Sequence, residues 1–593
     1  MNLTTPFTVY IQQACLRHQF IRSKDTSTIV ERPERLRAVN VGIAAALARL
    51  HLHSRHAQTQ VSATDPASKS DDDELTAALN KLNISQPGPS TSNIVKSTAS
   101  VDILNNPAVK FIHGDIERDV YLENLIKWAK ESRDAIARGE SEIPTGLSQG
   151  DLYLCPGSLD AIQGALGTVC EAVDAVVSAQ TPDAARRAFV AVRPPGHHCG
   201  ENTPSGFCFV NNVAVAAAHA HLKHGINRVV IFDIDLHHGN GTQSIVWQIN
   251  EETYRNTLEA SYGSTSAKPG PQMYYGSIHD VLSYPCEDGK PDLVQAASTS
   301  IHGPHGQYIE NIHLQTYSSN EEFFEELYSK RYSKLLSKAE EFLNKTGGPG
   351  NDVLVFISCG FDACEHEYES MQRHQRRVPT TFYHRFAKDA CVFADRYARG
   401  RVVSVLEGGY SDRALISGAM AHAVGLAGVD GSADVEAWWA VDNLTQLEEA
   451  SKKRRGGRPS QTQSQQIQPE WIQRTLEIFS TIDLNPPVVK TVVPASSMSL
   501  RDRSNKPLPT SSSSTAPSAP STTKSKRAPA AAKKKVGPGA LTSSGSEEER
   551  HSPPSSGEVK EGSKDQGMTE SASVKKLPKV ILRLGPRDGS SVS

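Results

Sequence analysis

Four short runs hold residue types that could do chemistry together. The first is Arg193-Pro-Pro-Gly-His197-His198-Cys199-Gly200, followed closely by Ser205-Gly206-Phe207-Cys208-Phe209. The second is Asp233-Ile-Asp235-Leu-His237-His238-Gly-Asn240-Gly. The third is Ser358-Cys-Gly-Phe-Asp362-Ala, and the fourth is Leu406-Glu-Gly-Gly-Tyr410. Asp233, Asp235 and His237 alternate, so on an extended strand end their side chains point the same way. A carboxylate and an imidazole aimed from one strand tip make half a metal site, and Asp362, after another apolar run, can complete it. Three N/O ligands with an open fourth position form the catalytic-zinc pattern, although the same set also accepts Fe(II), Mn or Co. A metal lowers the pKa of water at the open position to about 7. A neutral histidine of the His197-His198 pair could then take a proton near neutrality. The Tyr410 hydroxyl, after two glycines that permit close backbone approach, suits a developing oxyanion. Base, metal and oxyanion donor together describe hydrolysis of an amide or ester. Taken singly, each has a plainer meaning: a helix cap for Asp233 or Asp235, a loop pair for the histidines, a core side chain for Phe207. His238 points away from His237 by alternation and is not expected to be a ligand. Cys199, Cys208 and Cys359, near the same runs, read as buried inert thiols.

These runs need a frame that brings them together. Short β-branched segments occur at Ala188–Val192, Arg228–Phe232, Met273–Ile278, Val353–Ile357 and Arg401–Leu406. Helical patterns lie between them, at Val213–Leu222, Glu321–Leu343, Phe382–Ala398 and Arg413–Ala427. Near-continuous apolar strands alternating with helices predict an α/β fold, a mainly parallel sheet covered on both faces in three α/β/α layers. Ligands of such sheets sit at the carboxyl ends of the strands, and the polar runs directly follow the apolar ones.

The four runs, in this order, resemble the zinc-dependent histone deacetylase family of the arginase/deacetylase fold. ERPERLRAV near the start is similar to its class II members, and the pattern is that of a fungal-type branch. The resemblance covers roughly residues 10–430. It implies that Asp235, His237 and Asp362 bind one Zn2+ and that His197 and His198 are the tandem catalytic histidines, with His198 the general base. Asp233 and Asn240 would orient them, and Tyr410 would be the transition-state tyrosine. Phe207, Gly206 and Tyr284 would line the acetyl-lysine tunnel. Asp233, Asp235, His237, Ser277 and Ile278 would form an inner, structural K+ site. The implied reaction is removal of acetyl from N6-acetyl-lysine, with histone tails as partners and roles in chromatin regulation and repression. Some class II relatives carry His at the tyrosine position; Tyr410 favours turnover here. The segment Gln248–Gln272 is longer than usual and reads as a surface loop. Rival readings are a deacetylase of other proteins or of acetylated polyamines, or a weakly active corepressor scaffold.

Charge divides the chain of 593 residues more sharply than its net of −3 suggests. Ser451–Ser593 holds 24 Lys+Arg against 12 Asp+Glu, and the first 450 residues 39 against 54. We expect a catalytic domain over 1–450 with a disordered insertion at about 55–100, and a mostly disordered basic, Ser/Pro-rich tail over 451–593. A short helix is predicted within that tail at Pro469–Ile482. Lys452–Arg455, Lys524–Arg527 and Lys533–Lys535 resemble import signals, which points to the nucleus, with the cytoplasm as a second location. Binding of nucleic acid by this tail would be nonspecific. The apolar segment Lys579–Leu584 could add as a strand to a partner's sheet edge, and corepressor or self-association would be compatible with such a tail. Nine cysteines, odd in number and all before residue 392, fit a reduced intracellular protein. No apolar run reaches 18 residues and no signal peptide is evident, so no membrane partner is expected.

Overall fold

A computed structural model describes residues 4–63, 92–114, 120–181, 183–263, 270–452 and 468–484. Nine strands form one sheet: β1 Phe7–Gln12, β2 Ser92–Ser97, β3 Arg187–Ala191, β4 Arg228–Asp233, β5 Gln272–His279, β6 Ile301–His302, β7 Tyr308–His313, β8 Val353–Cys359 and β9 Val402–Leu406. Their spatial order is β2-β1-β3-β9-β8-β4-β5-β7-β6, and every pairing is parallel except β6 with β7. The α-helices of eleven or more residues are α1 Glu34–Ala63, α2 Tyr121–Ala137, α3 Ser158–Ser178, α4 Asn212–His224, α5 Asn240–Ser261, α6 Lys334–Lys345, α7 Thr381–Tyr397, α8 Asp412–Leu426, α9 Val441–Ser451 and α10 Glu470–Ile482.

Every residue of β3, β4, β8 and β9 is buried. Successive side chains of a strand face opposite sides, so both faces of the central sheet are covered. That is why these strands read as unbroken apolar runs. Helices α1, α7, α8 and α10 pack on one another, and α3 packs with α4 and against β1, β3 and β9. Helix α3 is long and apolar enough to cross a membrane, and here it lies buried in this core.

The four chemical runs begin at the carboxyl ends of β3, β4, β8 and β9. In space those strands are neighbours in the order β3-β9-β8-β4. Register aligns the tips: Asp233 pairs with Ser358 on one side and Ser277 on the other, and Cys359 pairs with Leu406.

Several expectations change. The helix predicted over Glu321–Leu343 is interrupted by a π-helical segment, Phe323–Tyr332, before α6. The wider i→i+5 turn lets Phe323, Tyr328 and Tyr332 all be buried, and the Tyr328 hydroxyl donates to Asp389 at 2.7 Å. Gln248–Gln272 is not simply a loop: its first part continues α5 to Ser261, with Ile249 and Thr253 turned inward, and residues 264–269 lie outside the described ones. The compact unit also runs past residue 450. Helix α10 buries Trp471, Ile472, Thr475, Ile478, Phe479 and Ile482, a stripe at helical spacing. The Arg49 guanidinium lies 3.9 Å from the Trp471 ring centre, and Asn40 of α1 donates to the Ile482 carbonyl at 3.2 Å. At its two ends the expected 55–100 insertion is ordered as α1 and β2; residues 64–91 lie outside the described ones. So do Lys453–Arg455, Lys524–Arg527, Lys533–Lys535 and Lys579–Leu584.

Candidate active site

The tip of β4 turns sharply, and its polar side chains meet those of its neighbours. His237 Nδ1 lies 3.2 Å from Asp235 Oδ1 and 3.1 Å from Asp362 Oδ2. The other carboxylate oxygens are held by backbone amides. Gly408 N donates to Asp235 Oδ2 at 2.8 Å, and Leu236 N donates to Asp362 Oδ1 at 2.9 Å. Both aspartates are thus fixed with one oxygen facing the imidazole, all three groups buried. Two carboxylates and an imidazole converging on one point are the donor set of a divalent transition metal, so the residues fit zinc. Burial, and then the Asp235 charge, push the Asp362 carboxyl above the usual range. Such crowding of buried acids is relieved by a cation.

The tandem histidines hang from the loop after β3, with ring centres 4.0 Å apart. His197 Nδ1 donates to Asp233 Oδ2 at 3.2 Å, and the Tyr275 hydroxyl donates to the same oxygen at 3.0 Å. Asn240 Oδ1 accepts from His198 Nδ1 at 2.8 Å. That bond puts the proton of a neutral His198 ring on Nδ1 and leaves a lone pair on Nε2. Burial, followed by the charges of His197 and His237, holds His198 well below the usual imidazole range. Burial alone would do the same to His197, but Asp235 and Asp233 outweigh it and raise His197. Two adjacent imidazoles are therefore driven apart, one neutral and one cationic, as an acid–base pair requires.

The Tyr410 ring lies 5.8 Å from that of Phe207. Burial, then Asp362, raise its hydroxyl well above the ordinary phenol, so it stays protonated and can donate. Phe207 and Tyr284 are both half-buried. Tyr284 stands nearly perpendicular to His198 at 4.8 Å and shares a short hydrogen bond with Ser205 Oγ. Phe207 is reached by a tight turn in which Gly206 has φ +48° and Phe207 itself φ +66°. A side chain at Gly206 would run into the His198 ring and Tyr284. Ser277 sits beside Asp233 in register, its Oγ 2.8 Å from His279 Nδ1, and Ile278 is buried next to it. His238 turns away, with Nε2 2.9 Å from Gln243 Oε1. The Cys199 thiol is pushed up to about 12 by burial, which leaves it inert.

The quoted residues lie at the carboxyl ends of five adjacent strands, β3-β9-β8-β4-β5, the last of which carries Ser277 and Ile278 and leads to Tyr284. A sequence model described as the histone deacetylase domain matches residues 93–426. The chain belongs to the histone deacetylase family. Histone deacetylase HOS3 of Saccharomyces cerevisiae is 36% identical over 440 residues, covering 71% of this chain and 57% of HOS3. The match thus spans little more than half that relative. Type-2 histone deacetylase 1 of Dictyostelium discoideum is 28% identical over 329 residues, 46% of this chain and 20% of that one. Polyamine deacetylase HDAC10 of Homo sapiens is 36% identical over 128 residues, 21% of this chain and 18% of that one.

This histone deacetylase domain depends on groups that the sequence analysis passed over. Glu31 and Arg35, N-terminal to the matched region, form a fully buried cage with Arg193. Arg193 Nε and Nη2 donate to the two Glu31 oxygens at 2.7 and 2.6 Å, and Arg35 Nη1 donates to Oε1 at 3.0 Å. Arg35 Nε donates to the Gly409 carbonyl at 2.6 Å, its Nη2 makes a short bond to the Glu407 carbonyl, and its guanidinium lies 5.0 Å from the Tyr410 ring centre. Glu367 accepts from the backbone amides of Tyr410 and Ser411 at 2.6 and 2.7 Å. Glu407 accepts from Gly196 N at 2.7 Å and from Ser358 Oγ at 3.2 Å, tying the ends of β9, β3 and β8. Glu31, Arg35, Arg193 and Glu407 all stood inside the quoted motifs. The available signal was a charged residue in an otherwise apolar or turn-forming run.

Proposed function

We propose that this chain is a zinc-dependent lysine deacetylase that hydrolyses the acetyl amide of N6-acetyl-lysine in histones. The observation that carries this reading is the buried Asp235/His237/Asp362 group with the His198 ring 6.0 Å from that of His237, its Nδ1 held by Asn240 so that the neutral ring carries its lone pair on Nε2. Asp235, His237 and Asp362 would hold zinc, which when bound supplies Lewis acidity toward a carbonyl and activates water. His198 accepts the proton of the attacking water at Nε2. His197 is oriented by its hydrogen bond to Asp233, and either histidine returns a proton to the leaving amine. Tyr410 donates its O–H to the developing oxyanion. Phe207 and Tyr284, with Gly206 giving them room, form apolar walls suited to the methylenes of a lysine side chain.

Asp233, Asp235, His237, Ser277 and Ile278 are the residues we assign to a structural K+. The basic segments of the tail support a nuclear location with histone tails as substrates, and chromatin repression as the consequence. Corepressor contacts and nucleic-acid contacts of the tail belong to the same reading. Similarity to the human polyamine deacetylase supports acetylated polyamine as the competing substrate.

The test is acetate release by zinc-loaded protein from acetylated histone H3 and H4 peptides and from an acetylated polyamine. His198→Ala and Tyr410→Phe variants run beside it. Peptide turnover lost in both variants supports the proposal. Turnover on polyamine alone transfers the reading to a small-molecule deacetylase. No turnover on either, with the fold intact, leaves an acetyl-lysine-binding scaffold.

A further inference from the structure

Among the described residues, two groups of three side chains bring potential ligand atoms within 4.8 Å of one another. One is the catalytic set. The other, Asp174, His219 and His224, lies on helices α3 and α4 and includes no residue of the four chemical runs. Its geometry is specific. His219 Nε2 and His224 Nε2 approach the same carboxylate oxygen, Asp174 Oδ1, at 2.8 and 2.6 Å. The two rings stand 6.0 Å apart, nearly perpendicular, so that their nitrogens rather than their faces meet. Lys223 Nζ takes the second oxygen, Oδ2, at 2.7 Å and leaves Oδ1 to the histidines.

The local fold explains the convergence. His219 lies within α4, and His224 is its last residue, where the left-handed Gly225 (φ +69°) ends the helix. Five residues along a regular helix would splay two side chains apart. The chain reversal at Gly225 and the carboxylate of the neighbouring helix instead bring them to one point. Both histidine side chains are mostly shielded, and Asp174 is one-third exposed, so the fourth direction opens to solvent. The Lys223 side chain is more than half exposed and free to swing away.

We propose that Asp174, His219 and His224 form a second, non-catalytic zinc site that clamps α3 to α4. Two neutral imidazoles and one monodentate carboxylate, with one open position for water, match the N/O preference of a borderline divalent ion. Zinc replaces the two N–H···O contacts with metal–nitrogen bonds, and each ring carries its remaining proton on Nδ1. Lys223 keeps its contact with Oδ2 or yields it to solvent. The clamp acts at the far end of α4 from the active site. At the near end, Asn211 Nδ2 donates to the Cys199 carbonyl at 3.1 Å and Asn212 Nδ2 to the Pro194 carbonyl at 3.1 Å. Fixing α4 thus steadies the loop that presents His197 and His198 without touching the chemistry. This inference does not depend on the catalytic reading.

The experiment uses the untagged full-length chain, zinc chloride as the probe, and elemental analysis of protein recovered after gel filtration. Wild type should retain two equivalents of zinc per chain. An Asp235→Ala/His237→Ala variant should retain one, and adding His219→Ala/His224→Ala to it should leave none. His219→Ala/His224→Ala alone should retain one equivalent and wild-type turnover, and should lose part of the zinc-induced rise in Tm. Circular dichroism checks that each variant folds, and His224→Ala, at a helix end, serves if a double variant does not. A zinc content unchanged by loss of both histidines, in wild type and in Asp235→Ala/His237→Ala alike, would overturn the proposal.

Discussion

Two buried charged clusters lie side by side in this molecule and are built on opposite balances. In the Glu31 cage one carboxylate faces two guanidiniums, and the spare donors of Arg193 reach the Cys15 and His18 carbonyls at 2.8 and 2.7 Å. Burial works against the Glu31 charge, but Arg193 and then Arg35 hold its carboxyl well below the usual range. His18 beside it is pushed down to about 3, chiefly by burial and by Arg193, so it adds no further charge. In the site cluster four carboxyl groups, Asp233, Asp235, Asp362 and Glu407, lie around the imidazoles of His197 and His237, with no guanidinium among the described residues bonded to any of their side chains. Burial raises Asp233 and Asp362, and takes Glu407 up to about 7. Both clusters are equally buried, so desolvation does not distinguish them. The sign of the surplus does. The cage is closed and serves as framework; the acid-rich cluster has the surplus negative charge that the proposed zinc would offset.

The comparison can be broken at either cluster. His198→Ala removes the base from the acid-rich side and should lower turnover by about 10²–10⁴-fold with the fold intact, read as acetate release together with circular dichroism. Glu31→Ala leaves two buried guanidiniums without their partner and should cost about 3–5 kcal/mol in urea unfolding. Because the folded-state carboxyl is depressed, the Glu31 contribution should be present above about pH 4.5 and fall away as pH drops below it. The pH dependence of wild-type stability minus that of Glu31→Gln tests this; a flat difference would refute the cage as described. Zinc at 100 times its Kd should stabilise the protein by about 2.7 kcal/mol for one site. A chelator should reverse this, in wild type but not in Asp235→Ala/His237→Ala beyond what the second site contributes. Gly206→Ala should cost about 1–3 kcal/mol, since φ +48° is strained for alanine and its methyl meets His198. Its turnover should fall by more than its stability implies.

Strands and site were readable to different depths. The apolar runs located β3, β4, β5, β8 and β9 to within a residue or two at most ends, because strands covered on both faces have no polar side. Strands β1, β2, β6 and β7 were not read from the sequence. Strands β2 and β6 are the sheet's edges, β7 (YIENIH) carries polar residues within it, and β2 pairs with β1 across some eighty residues of intervening chain; β1 (FTVYIQ) did carry an apolar, β-branched run that was passed over. The single-helix pattern over Glu321–Leu343 hid the π-helical segment, because a wider turn is chosen by what Phe323, Tyr328 and Tyr332 pack against. The polar stretch after Gln248 looked like a loop because helix α5 turns only a few of its side chains inward there.

By itself the sequence determined which groups are candidates: the quoted motifs supplied Asp233, Asp235, His237, Asp362, His197, His198 and Tyr410, although β4 ends at Asp233 and the expected alternation does not extend to His237. Only the tertiary structure decided who stands next to whom. The chain visits the four strands in the order β3, β4, β8, β9, whereas the sheet sets them side by side as β3-β9-β8-β4. That reordering places Gly408 N on Asp235 and Arg35 under Tyr410. The reason is physical: spacing along a strand is covalent and therefore local, while adjacency between strands is settled by crossover helices and the burial of both sheet faces together.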